Sequence, residues 1–76
     1  MNNSAASQRA RLLAWLKKES ITILEAREEL DILAPAARVF ELRHVCGYPI
    51  ETNTVTRYTA AGRPHNVAIY HLKTKG

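Results

Sequence analysis

The apolar pattern of this chain changes character once, at the stretch Gly47-Tyr48-Pro49. Before it, apolar residues recur at the three- and four-residue spacing of amphipathic helices. After it, residues 50–58 are rich in Thr, Val and Ile and lack that period, which is typical of a β-strand. With 76 residues, this order fits one small α+β domain, whose limited core leaves little room for a catalytic cleft.

The first helix is predicted from about Ser7, as its N-cap, to Lys18. Its apolar stripe includes Trp15, which we expect in the core, because aromatic side chains supply much of the buried area of a small domain. Residues 1–6 are expected to form a flexible tail, so that the domain spans residues 7–73.

The second helix is predicted from a capping box, in which Thr22 and Glu25 satisfy each other's backbone N–H, to about Leu30. After a short turn, Pro35 can start a third helix, because its missing N–H is not needed at the first helical position. That helix is predicted to end at Cys46, before a left-handed residue at Gly47. Its core-facing residues are predicted to be Val39, Leu42, Val45 and Cys46.

A β-hairpin is predicted to follow, with strands over residues 50–58 and 66–72 and a loop over residues 59–65, marked by Gly and Pro. Either face of the second strand offers apolar residues. Our choice for the buried face is Ala68, Tyr70 and Leu72, against Val67 and Ile69.

Two short helices joined by a tight turn, with one helix before them and a hairpin behind, indicate a winged helix-turn-helix fold. In this fold a three-helix bundle is followed by a C-terminal β-hairpin wing. The order of the elements is the specific part of the prediction, since a helix-turn-helix pattern alone is a weak signal.

The outer side of the third helix carries an unusual set of side chains. Phe40 lies almost opposite Leu42 in projection, which suits either a surface in the major groove or a contact with the wing or a second subunit. Arg43 can pair with guanine or phosphate, and Glu41 either accepts from a cytosine amine or braces Arg38. The candidate DNA-binding residues on this helix are Ala36, Ala37, Arg38, Phe40, Glu41, Arg43 and His44.

The positive charge lies in the second part of the chain. Residues 1–31 hold five basic and five acidic side chains, so the net charge of +4 comes from residues 32–76. This asymmetry favours a polyanionic partner for that part. In the hairpin, Arg63 and His65 at the tip and Arg57 on the ascending strand are the candidate contacts to the phosphate backbone or minor groove.

Other chemistry finds little support in the sequence. Cys46 is the only cysteine, so no internal disulfide is available and a reducing cytoplasm is expected. The histidines and Cys46 match no zinc-binding spacing, and no nucleotide-binding or paired-carboxylate motif is present. No signal peptide or membrane span is evident. We therefore expect no enzymatic activity, cofactor, metal, membrane association or small-molecule substrate.

Several stretches together carry a family resemblance: Ser7-Gln8, Ser20-Ile21-Thr22 leading into Leu24-Glu25-Ala26, Pro35-Ala36-Ala37-Arg38-Val39, Glu41-Leu42-Arg43, Gly47-Tyr48-Pro49-Ile50 and Gly62-Arg63-Pro64-His65. They resemble a family of small helix-turn-helix proteins encoded in prophages and bacterial genomes, over about residues 7–72. The resemblance implies a winged helix-turn-helix fold and DNA binding, in a phage-related regulatory, excision or replication-control role. The stretch over residues 47–50 also resembles the N-terminal winged domain of the biotin repressor. The family pattern leads us to expect a polar or basic residue at position 69, and Ile69 departs from it.

The main hypothesis is sequence-specific binding of double-stranded DNA by a phage-related transcriptional regulator, with the third helix in the major groove and the wing on the backbone or minor groove. A homodimer or a partner protein would add affinity, because one module of this size covers only about 600–1,000 Å² of DNA. The alternatives are a winged helix that binds a partner protein through Phe40, and an architectural or replication accessory that binds DNA without sequence preference.

Overall fold

The computed structural model describes residues 3–73, which form three helices and three strands. In chain order these are α1 (Ala5–Leu16), β1 (Ile21–Thr22), α2 (Ile23–Glu29), α3 (Pro35–His44), β2 (Ile50–Tyr58) and β3 (Pro64–Leu72). The predicted α+β class is confirmed. Strand β1 was not predicted, because two residues are too few to show a period.

Helix α1 begins earlier than the sequence indicated. Its N-cap is Ser4, whose side chain accepts a hydrogen bond from the Ser7 N–H at 3.2 Å. The prediction of Ser7 as N-cap is therefore wrong, and residues 5 and 6 of the expected tail are helical; residues 1 and 2 lie outside the described residues. The helix ends at Leu16, with Lys17 as C-cap, rather than at Lys18.

The start of α2 follows the predicted capping box. The Thr22 N–H donates to Glu25 Oε1 at 2.9 Å, and the Glu25 N–H donates to Thr22 Oγ1 at 3.1 Å. Thr22 is also the last residue of β1 and is buried. One threonine thus ends a strand and begins a helix, with its hydroxyl satisfied in the interior.

Helix α3 begins at Pro35 as predicted, and Ala34 before it makes no side-chain cap hydrogen bond. The helix ends at His44, short of Cys46, and Val45 is the C-cap. The prediction that Val45 and Cys46 face the core is wrong: both are exposed, Val45 by 77%. They follow the last helical residue, so the helical projection no longer applies to them.

The chain leaves α3 through a left-handed residue. Gly47 has a φ of +78°, which glycine adopts without steric cost, as predicted for the end of this helix. The Tyr48 N–H then donates to Leu42 O at 2.9 Å, which satisfies one of the last carbonyl groups of α3. This turn directs the chain into β2.

The three strands form one antiparallel sheet in the order β1-β3-β2. Strands β2 and β3 pair without a bulge from Ile50–Leu72 to Tyr58–Pro64. Together they form the predicted hairpin, called here the hairpin (residues 50–72). Its loop covers residues 59–63 rather than 59–65, so Pro64 and His65 belong to β3 and not to the tip.

Every helix and strand contributes to one core. Its buried apolar residues are Leu12, Leu16, Ile21, Ala26, Ile32, Val39, Leu42, Ile50 and Tyr70. Ala68 and Leu72 pack against this core on the same face of β3 as Tyr70, which confirms the predicted buried face. Trp15 also packs against the core, as predicted, and its Nε1–H donates to Ser20 O at 3.2 Å.

Candidate nucleic-acid interface

The outer side of α3 presents small and aromatic side chains to solvent. Pro35, Val39 and Leu42 face the core, and this leaves the opposite side exposed. The exposed residues there are Ala36, Ala37, Phe40 and His44. Phe40 is 58% exposed, and its ring lies 4.6 Å from that of His44 at a 45° tilt. The predicted outward orientation of Phe40 is confirmed.

Arg43 joins α3 to the hairpin. Its Nε–H donates to Ile50 O at 2.9 Å, and its Nη2 donates to Thr52 Oγ1 at 2.8 Å. The side chain is half-buried, and these donors are engaged within the protein. The geometry therefore gives Arg43 an internal role that the helical projection did not reveal, namely fixing the angle between α3 and β2.

Glu41 joins α3 to α1. Its Oε1 lies 2.9 Å from Arg9 Nη1 and 3.0 Å from Arg38 Nε, and Arg38 Nη2 donates to its Oε2 at 3.1 Å. The Arg38 Nε atom is buried and outside hydrogen-bonding geometry, so its contact with Oε1 is an ion pair without an aligned hydrogen bond. Of the two roles predicted for Glu41, the geometry supports the bracing of Arg38. The link to Arg9 was not predicted, since nothing local in the sequence relates residues so far apart.

The hairpin tip is a tight turn that presents Arg63 to solvent. The Gly62 N–H donates to Thr59 O at 2.8 Å, and the Thr59 N–H donates to Arg63 O at 2.9 Å. Gly62 has a φ of +78°, the left-handed conformation that closes the turn between Thr59 and Arg63. This turn leaves Arg63 exposed directly beside the last strand pair.

The pairing register separates the hairpin residues into two faces, because directly opposed residues of an antiparallel pair share a face. Thr52 pairs with the buried Tyr70 and contacts Arg43, so its face is the one that meets α3. The same face continues toward the tip through Thr54, Thr56, Tyr58 and Asn66, all exposed. This row of polar residues was not predicted, although the alternation of threonines along β2 could have indicated it.

Arg57 and His65 pair with each other and therefore share the opposite face of the hairpin. Thus the structure does not place these two predicted contacts on the hairpin side that meets α3. Arg63 lies at the tip, directly before the first residue of β3. The ten candidate residues therefore form an α3 group, a tip residue and a separate pair on the far hairpin face.

Comparison with known protein families shows which family this chain belongs to. The model of the family described as "Winged helix-turn-helix domain" matches residues 7–75. The chain belongs to this family. A search of curated proteins and a search of solved structures each found no match. Winged helix-turn-helix domains are typically DNA-binding modules without enzymatic activity, so family membership indicates DNA as the partner.

At the base of the hairpin, this winged helix-turn-helix domain carries an exposed ion pair. Lys73 Nζ lies 3.0 Å from Glu51 Oε2, and Asn53 Nδ2 donates to Glu51 Oε1 at 3.3 Å. The hydrogen bond from Lys73, followed by that from Asn53, lowers the pKa of the Glu51 carboxyl below its usual value. Glu51 is therefore an anion at neutral pH.

Across residues 3–73, no cluster of three or more His, Cys, Asp or Glu side chains is arranged to hold a metal ion. Within the same range, no helix has the length and apolar character needed to span a bilayer.

Proposed function

We propose that the chain reads specific sequences of double-stranded DNA, with α3 in the major groove and the hairpin acting as the wing on the adjacent backbone or minor groove. The observation that carries this proposal is the exposed outer side of α3, formed by Ala36, Ala37, Phe40 and His44. A plain solvated helix face would carry charged side chains instead.

The side chains of this face suit contact with base edges. Alanines permit close approach to the bases, and Ala36, Ala37 and Phe40 offer apolar surface to thymine methyl groups. His44 adds a polar group at the end of the same face, beside Phe40. We assign base contact to these four residues.

The arginines and the glutamate of α3 are assigned supporting roles. Arg43 is a positioning residue, because its hydrogen bonds to β2 set the direction of α3 relative to the wing. Glu41 holds Arg38 against α1 through Arg9, and Arg38 is placed to meet a phosphate at the groove edge.

The wing contributes electrostatic attraction. Arg63 at the tip is the proposed phosphate or minor-groove contact, while Arg57 adds positive charge on the far face, which it shares with His65, without entering the groove. The role of a phage-related transcriptional regulator in the cytoplasm is part of the proposal, and it rests on the sequence resemblance and on the single cysteine.

Selection of bound sequences from a random duplex library, followed by salt titration on the selected site, tests the proposed function. We expect an enriched motif and an affinity that falls steeply between low and physiological salt, because bound phosphates release counterions. Failure to enrich any motif while DNA binding persists would favour the architectural alternative. Absence of DNA binding at low salt would favour the partner-protein alternative.

Phe40→Ala is expected to weaken binding to the selected duplex by roughly tenfold, the loss of about 1–2 kcal/mol of apolar base contact. Binding to an unrelated duplex should change little, because phosphate contacts dominate there. Fluorescence anisotropy on both duplexes measures the two effects. Val45→Ala is the control: Val45 is an exposed apolar residue directly after α3 and is not among the four residues assigned to base contact. Equal losses on both duplexes would contradict base contact by Phe40.

Arg63→Ala is expected to weaken binding to all duplexes similarly and to reduce the slope of log K against log[salt] by about 0.9, the contribution of one phosphate contact. The control is Lys17→Ala, which removes an exposed cation at the C-cap of α1. The two variants are compared by anisotropy at several salt concentrations. If Lys17→Ala changes the slope as much as Arg63→Ala does, the wing has no special part in binding.

A further inference from the structure

Strand β2 leaves one of its two edges without a strand partner. It lies at the end of the sheet order β1-β3-β2, and among residues 3–73 no other strand pairs with its outer edge. Natural proteins protect such edges with charged side chains, above all lysine, or with proline or a bulge. Strand β2 has no lysine, proline or bulge, and its two charged residues, Glu51 and Arg57, have opposite signs; its nine residues IETNTVTRY pair with β3 in unbroken register.

The alternation of hydrogen bonds along the hairpin shows which residues of β2 direct their backbone groups to this edge. At its two ends the Thr59 N–H donates to Arg63 O and the Lys73 N–H donates to Pro49 O. Hydrogen-bonded and non-hydrogen-bonded pairs alternate in an antiparallel ladder, so the odd-numbered residues of β2 bond to β3. The backbone N–H and C=O groups of the even-numbered residues therefore point to the open edge.

One end of this edge is already satisfied within the chain. The Ile50 N–H donates to Tyr48 O at 3.0 Å, and Ile50 O accepts from Arg43 Nε at 2.9 Å. The open backbone groups therefore begin at Thr52 and continue through Thr54, Thr56 and Tyr58. Thr54 lies at the midpoint of β2, with Thr52 and Thr56 at equal distances on either side.

We propose that a second copy of this chain pairs with the open edge, β2 against β2 in antiparallel orientation, with Thr54 on the two-fold axis. The pairing joins the two sheets into one of six strands. Thr54 then faces Thr54 of the second copy, and Thr52 faces Thr56, with about six new backbone hydrogen bonds.

The charges of β2 select this register. Its only charged residues are Glu51 and Arg57, which have opposite signs and lie at equal distances on either side of Thr54. In the proposed register each Glu51 faces Arg57 of the second copy, on the same face of the sheet, so two cross-strand ion pairs form. A two-fold axis at Asn53 or Val55 would instead place both charges opposite uncharged residues.

Both charged side chains are available for this pairing. Arg57 is exposed, and its Nη1 donates to Thr56 O at 3.2 Å, so the guanidinium already lies beside an open-edge carbonyl. In the dimer, a backbone N–H of the second copy replaces it at that carbonyl. Glu51 is exposed and keeps Lys73 on Oε2, while Oε1, which accepts one hydrogen bond from Asn53, has a second lone pair that meets the arginine.

A disulfide at the two-fold axis tests the register directly, without DNA. Thr54→Cys in a Cys46→Ser background is expected to give a nearly complete covalent dimer on mild oxidation, because hydrogen-bonded antiparallel pairs hold their Cα atoms about 5.5 Å apart, within disulfide range. The control is Thr56→Cys in the same background. In the proposed register its sulfur atom lies about 13 Å along the strand from the equivalent cysteine of the second copy. Non-reducing electrophoresis reads both. Equal crosslinking of the two variants, or none in Thr54→Cys, would overturn the proposal.

Exchanging the charges of Glu51 and Arg57 tests the proposed ion pairs without a disulfide crosslink. Arg57→Glu is expected to weaken association by roughly tenfold or more, because two attractive pairs become two repulsive ones, and the double variant Glu51→Arg/Arg57→Glu should restore it. Sedimentation equilibrium measures association, and circular dichroism verifies folding. A double variant that associates no better than Arg57→Glu, or wild-type protein that stays monomeric at millimolar concentration, contradicts the proposed dimer. Since no DNA is present, these outcomes leave the proposed DNA reading untouched.

Discussion

Leu12→Ala is expected to lower the free energy of unfolding by about 3 kcal/mol, within the range of about 2–5 kcal/mol found for buried leucines. Leu12 is fully buried in α1 and belongs to the core that all six elements share. The substitution removes apolar contacts and leaves a cavity. A domain of this size has a total stability of only about 5–10 kcal/mol, so the variant should lose a large part of it.

Leu33→Ala is the matched control, since it is the same substitution at a residue that is 87% exposed. We expect its effect on the free energy of unfolding to stay within about 0.5 kcal/mol. Urea denaturation followed by circular dichroism measures both variants. Similar losses for Leu12→Ala and Leu33→Ala would contradict the core described above.

Glu41→Gln is expected to lower the free energy of unfolding by about 2 kcal/mol. The carboxylate holds two guanidinium groups, from Arg9 and Arg38, at 2.9 and 3.0 Å. Without its charge these two cations face each other, and the buried Arg38 Nε loses its counter-charge. The three side chains are 19–30% exposed. The expected loss therefore lies between that for an exposed pair, up to about 1 kcal/mol, and that for a buried pair, about 3–5 kcal/mol.

The control for this variant is Glu28→Gln, which removes the charge of an exposed glutamate on α2. It should change stability by less than about 0.5 kcal/mol. Both proteins are denatured with urea at low and at high salt. High salt should reduce the loss of stability in Glu41→Gln, because screening reduces the repulsion between Arg9 and Arg38. If Glu41→Gln proves as stable as the wild type, the ion pairs joining α1 and α3 contribute nothing measurable.

The experiments on DNA binding and on dimer formation concern different surfaces. Residues of α3 and the wing tip meet DNA in the proposed function, whereas the proposed dimer uses the backbone edge of β2. A symmetric dimer places both copies of α3 on the same side of the joined sheet, since the two-fold axis runs perpendicular to it. Such a protein would read a site with two-fold symmetry.

Features that depend on residues near one another in the chain could be predicted from the sequence alone. The capping box of Thr22 and Glu25, the helix start at Pro35 and the left-handed Gly47 each act within one turn of chain. The outward position of Phe40 follows from the helix period, and the strand period left two possible buried faces of β3, of which the chosen one is confirmed. Because hydrophobic burial imposes these periods locally, a single sequence sufficed to predict them.

Which side chains meet across elements depends on the tertiary structure and could not be predicted from the sequence. Arg43 was predicted to pair with guanine or phosphate, and in the structure its donors reach β2; Glu41 binds Arg9, which lies 32 residues away in the chain. The pairing of β1 with β3, and the position of Arg57 on the hairpin face away from α3, likewise depend on how the sheet is set against the helices. Periodicity places a side chain on a face of its own element, but it carries no information about the angle and distance to another element. Those are fixed by the packing of the whole core, and the partners of long polar side chains are fixed with them.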